Sequence, residues 1–282
     1  MLGTPACRFA EVRETGRAGD LRHLDFTTGD GATVPGLYLP GRGEGHPAVL
    51  YCHAHGNRYD IGMREIYEGR PALLSPWLGP LQAAGYAVLC LEMPCFGARA
   101  VPGEQALAKA LLWRGRTLFG QMLAEQAAGL CWLAAQPGLD GGRIAAMGIS
   151  MGGTLAWWLA ALEERVAAAA SMCCFADLAT LVESGAHDGH GIYMTVPGLL
   201  AETSTGRLSG LAAPRPLLHC VGLADWSTPP DAFARARGEL LAVYDAIDAR
   251  RHLAFHAEED LGHAESPAMR DRVLAFLAAA LA

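Results

Sequence analysis

The feature that most constrains this chain is a series of apolar runs of strand length, at Ala48–Cys52, Tyr86–Leu91, Arg143–Ile149, Val166–Cys173, Arg215–Val221 and His252–His256, with helical composition between most of them. A strand that is apolar along its whole length, rather than at alternate positions, must be covered on both faces. That is the condition of a parallel sheet packed between helices. Helices are predicted at Trp77–Ala84, at 104–135 with Gly115 and Gly120 marking a bend or break, at Thr154–Leu162, at 229–247 and at 267–281. The last has Ser266 as its N-cap and Pro267 as its first residue. This alternation predicts an α/β fold, one domain over 1–282, with a mostly parallel, doubly wound sheet whose reactive loops lie at the strands' carboxyl ends.

Upstream, His23–Thr28, the turn Gly29-Asp30-Gly31 and Val34–Leu39 read as a hairpin. Residues 174–213 break the rhythm. The stretch is rich in Gly, Thr and Ser and too long for an ordinary connection, so it is read as a small cap-like insert.

Composition narrows the function. The chain has 282 residues, 51% hydrophobic and 18% charged, enough to bury a sizeable core. A net charge of -7 without a basic stripe argues against nucleic acid and against anionic membranes as partners. The apolar stretch Val166–Ala176 stops at Asp177, short of the ~20 residues a spanning helix needs. The segment Met1–Glu14 carries Arg8, Glu11 and Arg13 and does not read as a secretory signal. The 8 cysteines form no C-x-x-C pair, and Cys52, Cys90, Cys173, Cys174 and Cys220 fall in apolar runs. Free, mostly buried thiols of a cytoplasmic protein are expected, with Cys95, beside Pro94, the candidate for exposure.

The chemistry centres on Gly148-Ile149-Ser150-Met151-Gly152, placed where an apolar strand meets a helix. In that context G-x-S-x-G is a nucleophile elbow: small neighbours let the turn close while the serine hydroxyl stays exposed. The competing reading is a glycine-rich turn with Ser150 as a helix cap. A serine needs a base to take its proton and a carboxylate to orient that base. His263, after the strand His252–His256 and next to Gly262, is the expected base. Asp225, in Gly222-Leu223-Ala224-Asp225, is the expected acid, with a turn or capping role as its alternative and Asp177 in reserve.

The oxyanion of a tetrahedral intermediate needs fixed N–H donors, each worth roughly 3 kcal/mol. Met151 supplies one, and the Asn57 amide in His53-Ala54-His55-Gly56-Asn57 is assigned the second. His55, His187, Tyr193 and Met194 are the candidate substrate contacts. His53 with His55, and His187 with His190, also have the look of metal ligands, but no supporting set accompanies them and no metal is expected.

Taken in order, the His55-Gly56 loop, Met93-Pro94-Cys95-Phe96-Gly97-Ala98-Arg99, the elbow at Ser150, Gly222 to Pro230 and Gly262-His263 resemble the α/β-hydrolase superfamily, in its dienelactone-hydrolase-like and acetyl-xylan-esterase-like branches. The resemblance runs from about residue 47 onward. It implies an eight-stranded, mostly parallel sheet flanked by helices, and acyl-enzyme hydrolysis without a cofactor. Dienelactone hydrolases carry cysteine at the elbow, so Ser150 directs the expectation to simple carboxylic esters of small molecules. Acyl transfer, thioester hydrolysis and carbon–carbon bond hydrolysis use the same triad and are the alternatives.

Overall fold

The apolar runs become strands in the computed structural model, which describes residues 8–282. Nine strands follow the order β1-β2-β3-β5-β4-β6-β7-β8-β9. The chain divides into two compact units.

The first unit comprises residues up to Arg70, Ser75–Ile144 and Ile192–Val196. It holds β1 (Glu11–Ala18), β2 (Leu21–Thr27), β3 (Thr33–Leu39), β4 (His46–Cys52), β5 (Ala87–Leu91) and the start of β6 (Leu139–Ile149). The predicted hairpin is present, with Phe26 opposite Val34, and β4 and β5 are parallel. The edge strand β1 brings the strand count to nine rather than the expected eight. Its sequence, EVRETGRA, has no buried residue and therefore no apolar period; pairing of its backbone with β2 forms it, and charged side chains suit an open edge.

Four helices belong to this unit: α1 (Glu65–Glu68), α2 (Leu78–Ala83), α3 (Glu104–Leu112) and α4 (Leu118–Ala134). The break predicted within 104–135 falls at Gly115, which has a φ of +70°. Gly120 lies instead inside the first turn of α4, where its N–H satisfies the cap Thr117 Oγ1 at 2.9 Å. Trp132 of α4 packs edge-on against Phe26 and Tyr38, with centroids 5.1 and 5.0 Å apart, and ties the helix to the strands.

The second unit comprises Pro71–Leu74, Ala145–Gly191 and Pro197–Ala282. Its strands are the rest of β6, β7 (Ala168–Met172), β8 (Leu217–Gly222) and β9 (Leu253–Glu258), parallel throughout. The register sets Ile149 beside Met172, Met172 beside Cys220 and Gly222 beside Glu258, so these strands end at one edge. Helices α5 (Met151–Leu162), α6 (Leu178–Ser184), α7 (Leu199–Glu202), α8 (Thr205–Gly210), α9 (Pro230–Ala246) and α10 (Pro267–Ala280) complete it. As expected, Ser266 caps α10, accepting from Met269 N at 3.0 Å. The stretch 174–213 is mostly short helices, and its residues Ile192–Val196 belong to the first unit. No helix among the described residues is long and apolar enough to cross a membrane.

Candidate active site

Ser150 joins β6 to α5 with φ +56° and ψ -125°, a conformation costly for a residue with a Cβ. The backbone holds it there: Ser150 N–H donates to Met172 O at 2.8 Å, and Thr154 N–H donates to Ser150 O at 2.9 Å. Gly153 makes the approach possible. A Cβ there would lie 2.9 Å from Met172 O and 2.7 Å from Cys174 Sγ. The Ser150 side chain makes no capping bond to α5 and is partly exposed, so the hydroxyl is not spent on the helix as the capping reading required. Met151 N–H, in the first turn of α5, is one of the amides that lack an intrahelical acceptor.

Asp225 and His263 meet. Asp225 Oδ2 lies 2.7 Å from His263 Nδ1, with the carboxylate side chain fully buried and the imidazole partly exposed. The other oxygen, Oδ1, accepts from Ser227 N and Ser227 Oγ, both at 2.8 Å. Asp225 is thus bonded as a turn aspartate through one oxygen and lies against His263 through the other. With Nδ1–H donating to the carboxylate, Nε2 is left with its lone pair.

Ser227 and Gly222 are additions that the motif reading did not assign. Ser227 Oγ lies 3.0 Å from His263 Nδ1 as well, so it braces both partners. At Gly222 a Cβ would stand 2.1 Å from Leu261 O and 2.7 Å from Gly262 O. Only a residue without Cβ lets the loop carrying His263 lie on the end of β8, where Ala224 N–H donates to Leu261 O at 3.0 Å. Because the obstacle is backbone, Gly222→Ala is expected to displace His263 from Asp225 and to lower kcat/KM by about 100-fold, measured on any ester the wild type turns over. A variant with wild-type kinetics would mean that the contact has no part in placing His263.

Three contacts tie the elbow to this pair. Ser150 is bonded to Met172, as above; the next residue, Cys173, hydrogen-bonds to Cys220 O through its N–H at 2.8 Å and to Ala264 O through Sγ at 3.5 Å. Ala264 adjoins His263. The reserve acid Asp177 is elsewhere engaged: its Oδ1 caps α6 by accepting from Thr180 N at 2.9 Å, and Arg235 Nε lies 3.4 Å away. His187 is exposed. Its neighbour His190, expected in a polar cap loop facing substrate rather than as a metal ligand, has its ring 5.6 Å from that of Trp226.

In the first unit, one of the expected oxyanion donors already has a partner. Asn57 N–H is donated to His55 Nδ1 at 3.0 Å, so the amide expected to hold an oxyanion is already engaged. His55 Nε2 lies 2.8 Å from Glu104 Oε2, and the same oxygen accepts from Tyr59 Oη at 2.5 Å while Oε1 accepts from Tyr193 N at 2.9 Å. Phe96 and Tyr193 flank the His55 ring, with centroids 5.2 and 5.4 Å away. The sequence-predicted pair His55 and Tyr193 therefore do come together, but as buried members of a network around Glu104; Met194 beside them is partly exposed.

Burial raises the Glu104 carboxyl, yet the bonds from His55 and Tyr59 outweigh it and hold it below the ordinary carboxylate value. A group lowered on folding contributes stability above its unfolded pKa and loses it as pH falls through the folded value. Glu104→Gln, which replaces one of the two accepting oxygens by a donor facing either His55 and Tyr59 or Tyr193 N, is expected to cost about 3 kcal/mol at neutral pH in urea unfolding. The cost should shrink as the medium is acidified.

His53 is fully buried, accepting from Met93 N at its Nε2, 3.1 Å away. Among the described residues no group of three or more His, Cys, Asp or Glu side chains is placed to hold a metal ion. Cys95 is buried rather than exposed, and burial pushes its thiol up to about 11. Its φ of 73° belongs to a turn in which Phe96 N–H donates to Met93 O at 3.2 Å and Cys95 N–H to Arg99 O at 3.1 Å.

Residues 37–228 match the family described as X-Pro dipeptidyl-peptidase (S15 family), a span that covers most of the chain and includes Ser150 and Asp225. The chain belongs to the S15 family. A Bacillus subtilis (strain 168) protein named for hydrolase activity, YtaP, is 34% identical over 235 residues, covering 82% of this chain and 77% of that one. Two solved structures share the α/β-hydrolase fold of this S15 member. Acetyl xylan esterase 1 from Thermoanaerobacterium sp. JW/SL YS485 superposes with a TM-score of 0.63 at 20% identity, covering 96% of this chain and 88% of that one. A cold-adapted esterase from an Arctic intertidal metagenomic library gives 0.62 at 18% identity, covering 95% and 97%. At such identities the likeness is one of fold.

Proposed function

We propose that this S15 member is a serine hydrolase that cleaves carboxylic esters of small molecules through an acyl-enzyme on Ser150. The observation that carries the reading is the 2.7 Å contact between His263 and the buried Asp225, on loops beyond the same strand edge from which Ser150 projects an uncapped hydroxyl. His263 Nε2 takes the Ser150 proton as Oγ bonds to the ester carbon. The carbonyl oxygen becomes an oxyanion facing Met151 N–H. As the intermediate collapses the carbon–oxygen bond to the alcohol breaks, and the alkoxide takes the proton from Nε2. Water, deprotonated by His263, then attacks the acyl-enzyme and frees Ser150. Asp225 stays ionised and compensates the imidazolium.

Asn57 has no part in this scheme, because its amide serves His55. The elbow amide is the donor the reading relies on. The free thiols of Cys52, Cys90, Cys95, Cys131, Cys173, Cys174 and Cys220 support action in the cytoplasm, and no step calls for a cofactor.

The family description favours a second reading, attack on a peptide amide, and the same atoms would serve it. Parallel assays of p-nitrophenyl acetate and an X-Pro p-nitroanilide separate the two. Faster turnover of the ester is expected, and a preference for the anilide would overturn the ester reading while leaving Ser150 in place. Added alcohol or amine tests the acceptor: free acid should remain the main product, and transfer product outgrowing it would make the protein an acyltransferase.

A further inference from the structure

Trp226 lies between the acid Asp225 and the brace Ser227, yet its indole is 58% exposed. Exposure alone marks nothing, since Trp113 is 93% exposed. Trp226 is also held in place. Its ring centroid is 6.3 Å from that of His263 and 5.6 Å from that of His190, the latter tilted by 49°. On its other edge the ring lies against bare backbone: a Cβ on Gly189 would come within 2.4 Å of Trp226 Cζ3. An exposed indole that lies beside two imidazoles and closely against a glycine is a preorganised surface rather than a floating side chain.

We infer that Trp226 forms the leaving-group subsite, a flat platform for the ring of an uncharged cyclic alcohol, with Gly189 and His190 as positioning residues. The inference rests on the ester-hydrolase reading above. During acylation His263 Nε2 gives its proton to the departing alkoxide oxygen, so that oxygen lies within hydrogen-bond reach of Nε2. The remainder of the alcohol then extends past the imidazole, and the neighbouring exposed surface is the indole of Trp226. A ring covers a planar face better than a linear chain does, because apolar contact scales with the area brought together. The platform is uncharged as well. Burial lowers His190 against the pull of Asp225, and its Nε2 is buried without a hydrogen-bond partner, so no fixed cation there awaits an anionic alcohol.

The test uses two ester series on the purified full chain. One holds acetate constant and varies the alcohol through methyl, cyclohexyl and benzyl; the other holds the alcohol constant and lengthens the acyl chain. Wild-type turnover that disappears in Ser150→Ala establishes the underlying reading, and no turnover of any ester would defeat that reading and the inference with it. Given turnover, the ratio of kcat/KM for cyclohexyl over methyl acetate should fall by about 10-fold in Trp226→Ala. Trp226→Phe, which keeps a ring, should restore most of the ratio, and Gly189→Ala, which pushes the indole aside, should lower it without touching Trp226. The benzyl-to-methyl ratio should fall alongside the cyclohexyl-to-methyl one in Trp226→Ala, since a benzyl ring lies on the same planar face. The acyl-length profile should keep its wild-type shape. A cyclohexyl-to-methyl ratio unchanged in Trp226→Ala, or a loss that follows acyl length instead, would overturn the assignment.

Discussion

A Ser150→Ala variant is expected to lose about 10⁶-fold in kcat on p-nitrophenyl acetate while unfolding at the wild-type temperature. The two halves of that result have separate causes. The rate falls because no other group in the proposed reaction can form the acyl-enzyme, and what remains is the contribution of binding and of the elbow amide. The fold survives because Ser150 Oγ makes no capping bond to α5, while the bonds that hold the turn, Ser150 N to Met172 O and Thr154 N to Ser150 O, belong to the backbone. A variant that lost both activity and stability would recast Ser150 as a structural residue.

Asp225→Asn should be nearly as damaging, lowering kcat by about 10⁴-fold. Asparagine can keep the turn, since its carbonyl oxygen can accept from Ser227 N and Ser227 Oγ as Oδ1 does now. Its amide would then face His263 Nδ1, where Oδ2 stands at 2.7 Å. Two donors cannot share that contact, so the ring would shift its proton to Nε2 and lose the lone pair that must receive the serine proton. Ser227 Oγ, 3.0 Å from Nδ1, cannot substitute for a carboxylate, because it offers no charge to compensate the imidazolium. Measurement of kcat with thermal unfolding in parallel checks the claim. Loss of rate with little loss of stability is expected, and retention of more than a tenth of the wild-type rate would contradict it.

Most of what positions this site was legible in the sequence, for reasons that differ by element. Strands β4, β5, β7, β8 and the second half of β6 could be read because they are buried along their length and hence apolar, whereas β9, with only Leu253 buried, stands out chiefly by its length and its place before the last helix. Even the alanine run of β7 read as a strand, through its length and its place between β6 and β8, where α5 packs so closely that a Cβ at Gly153 would lie 2.9 Å from Met172 O. The edge strand β1 could not be read, because a strand stabilised by backbone pairing alone leaves no hydrophobic period. The sequence named Asp225 and His263 because motif order reflects the strands that carry them.

Second partners were invisible by comparison. The diversion of the Asn57 amide to His55, the bracing of both partners by Ser227 and the collision that forbids a Cβ at Gly222 each depend on a contact across a turn or between loops. A list of residue types in order does not contain those distances. The same holds for Trp226, whose chemical interest comes from being exposed and clamped at once.

In the proposed reaction Ser150 is a nucleophile because His263, oriented by Asp225, takes its proton. The most direct test is reaction with a fluorophosphonate followed by peptide mass mapping, in the wild type and in His263→Ala. A single stoichiometric adduct on Ser150 is expected in the wild type, with a labelling rate at least about 1,000-fold lower without His263. An adduct on another residue, or equal labelling of Ser150 in both proteins, would contradict it.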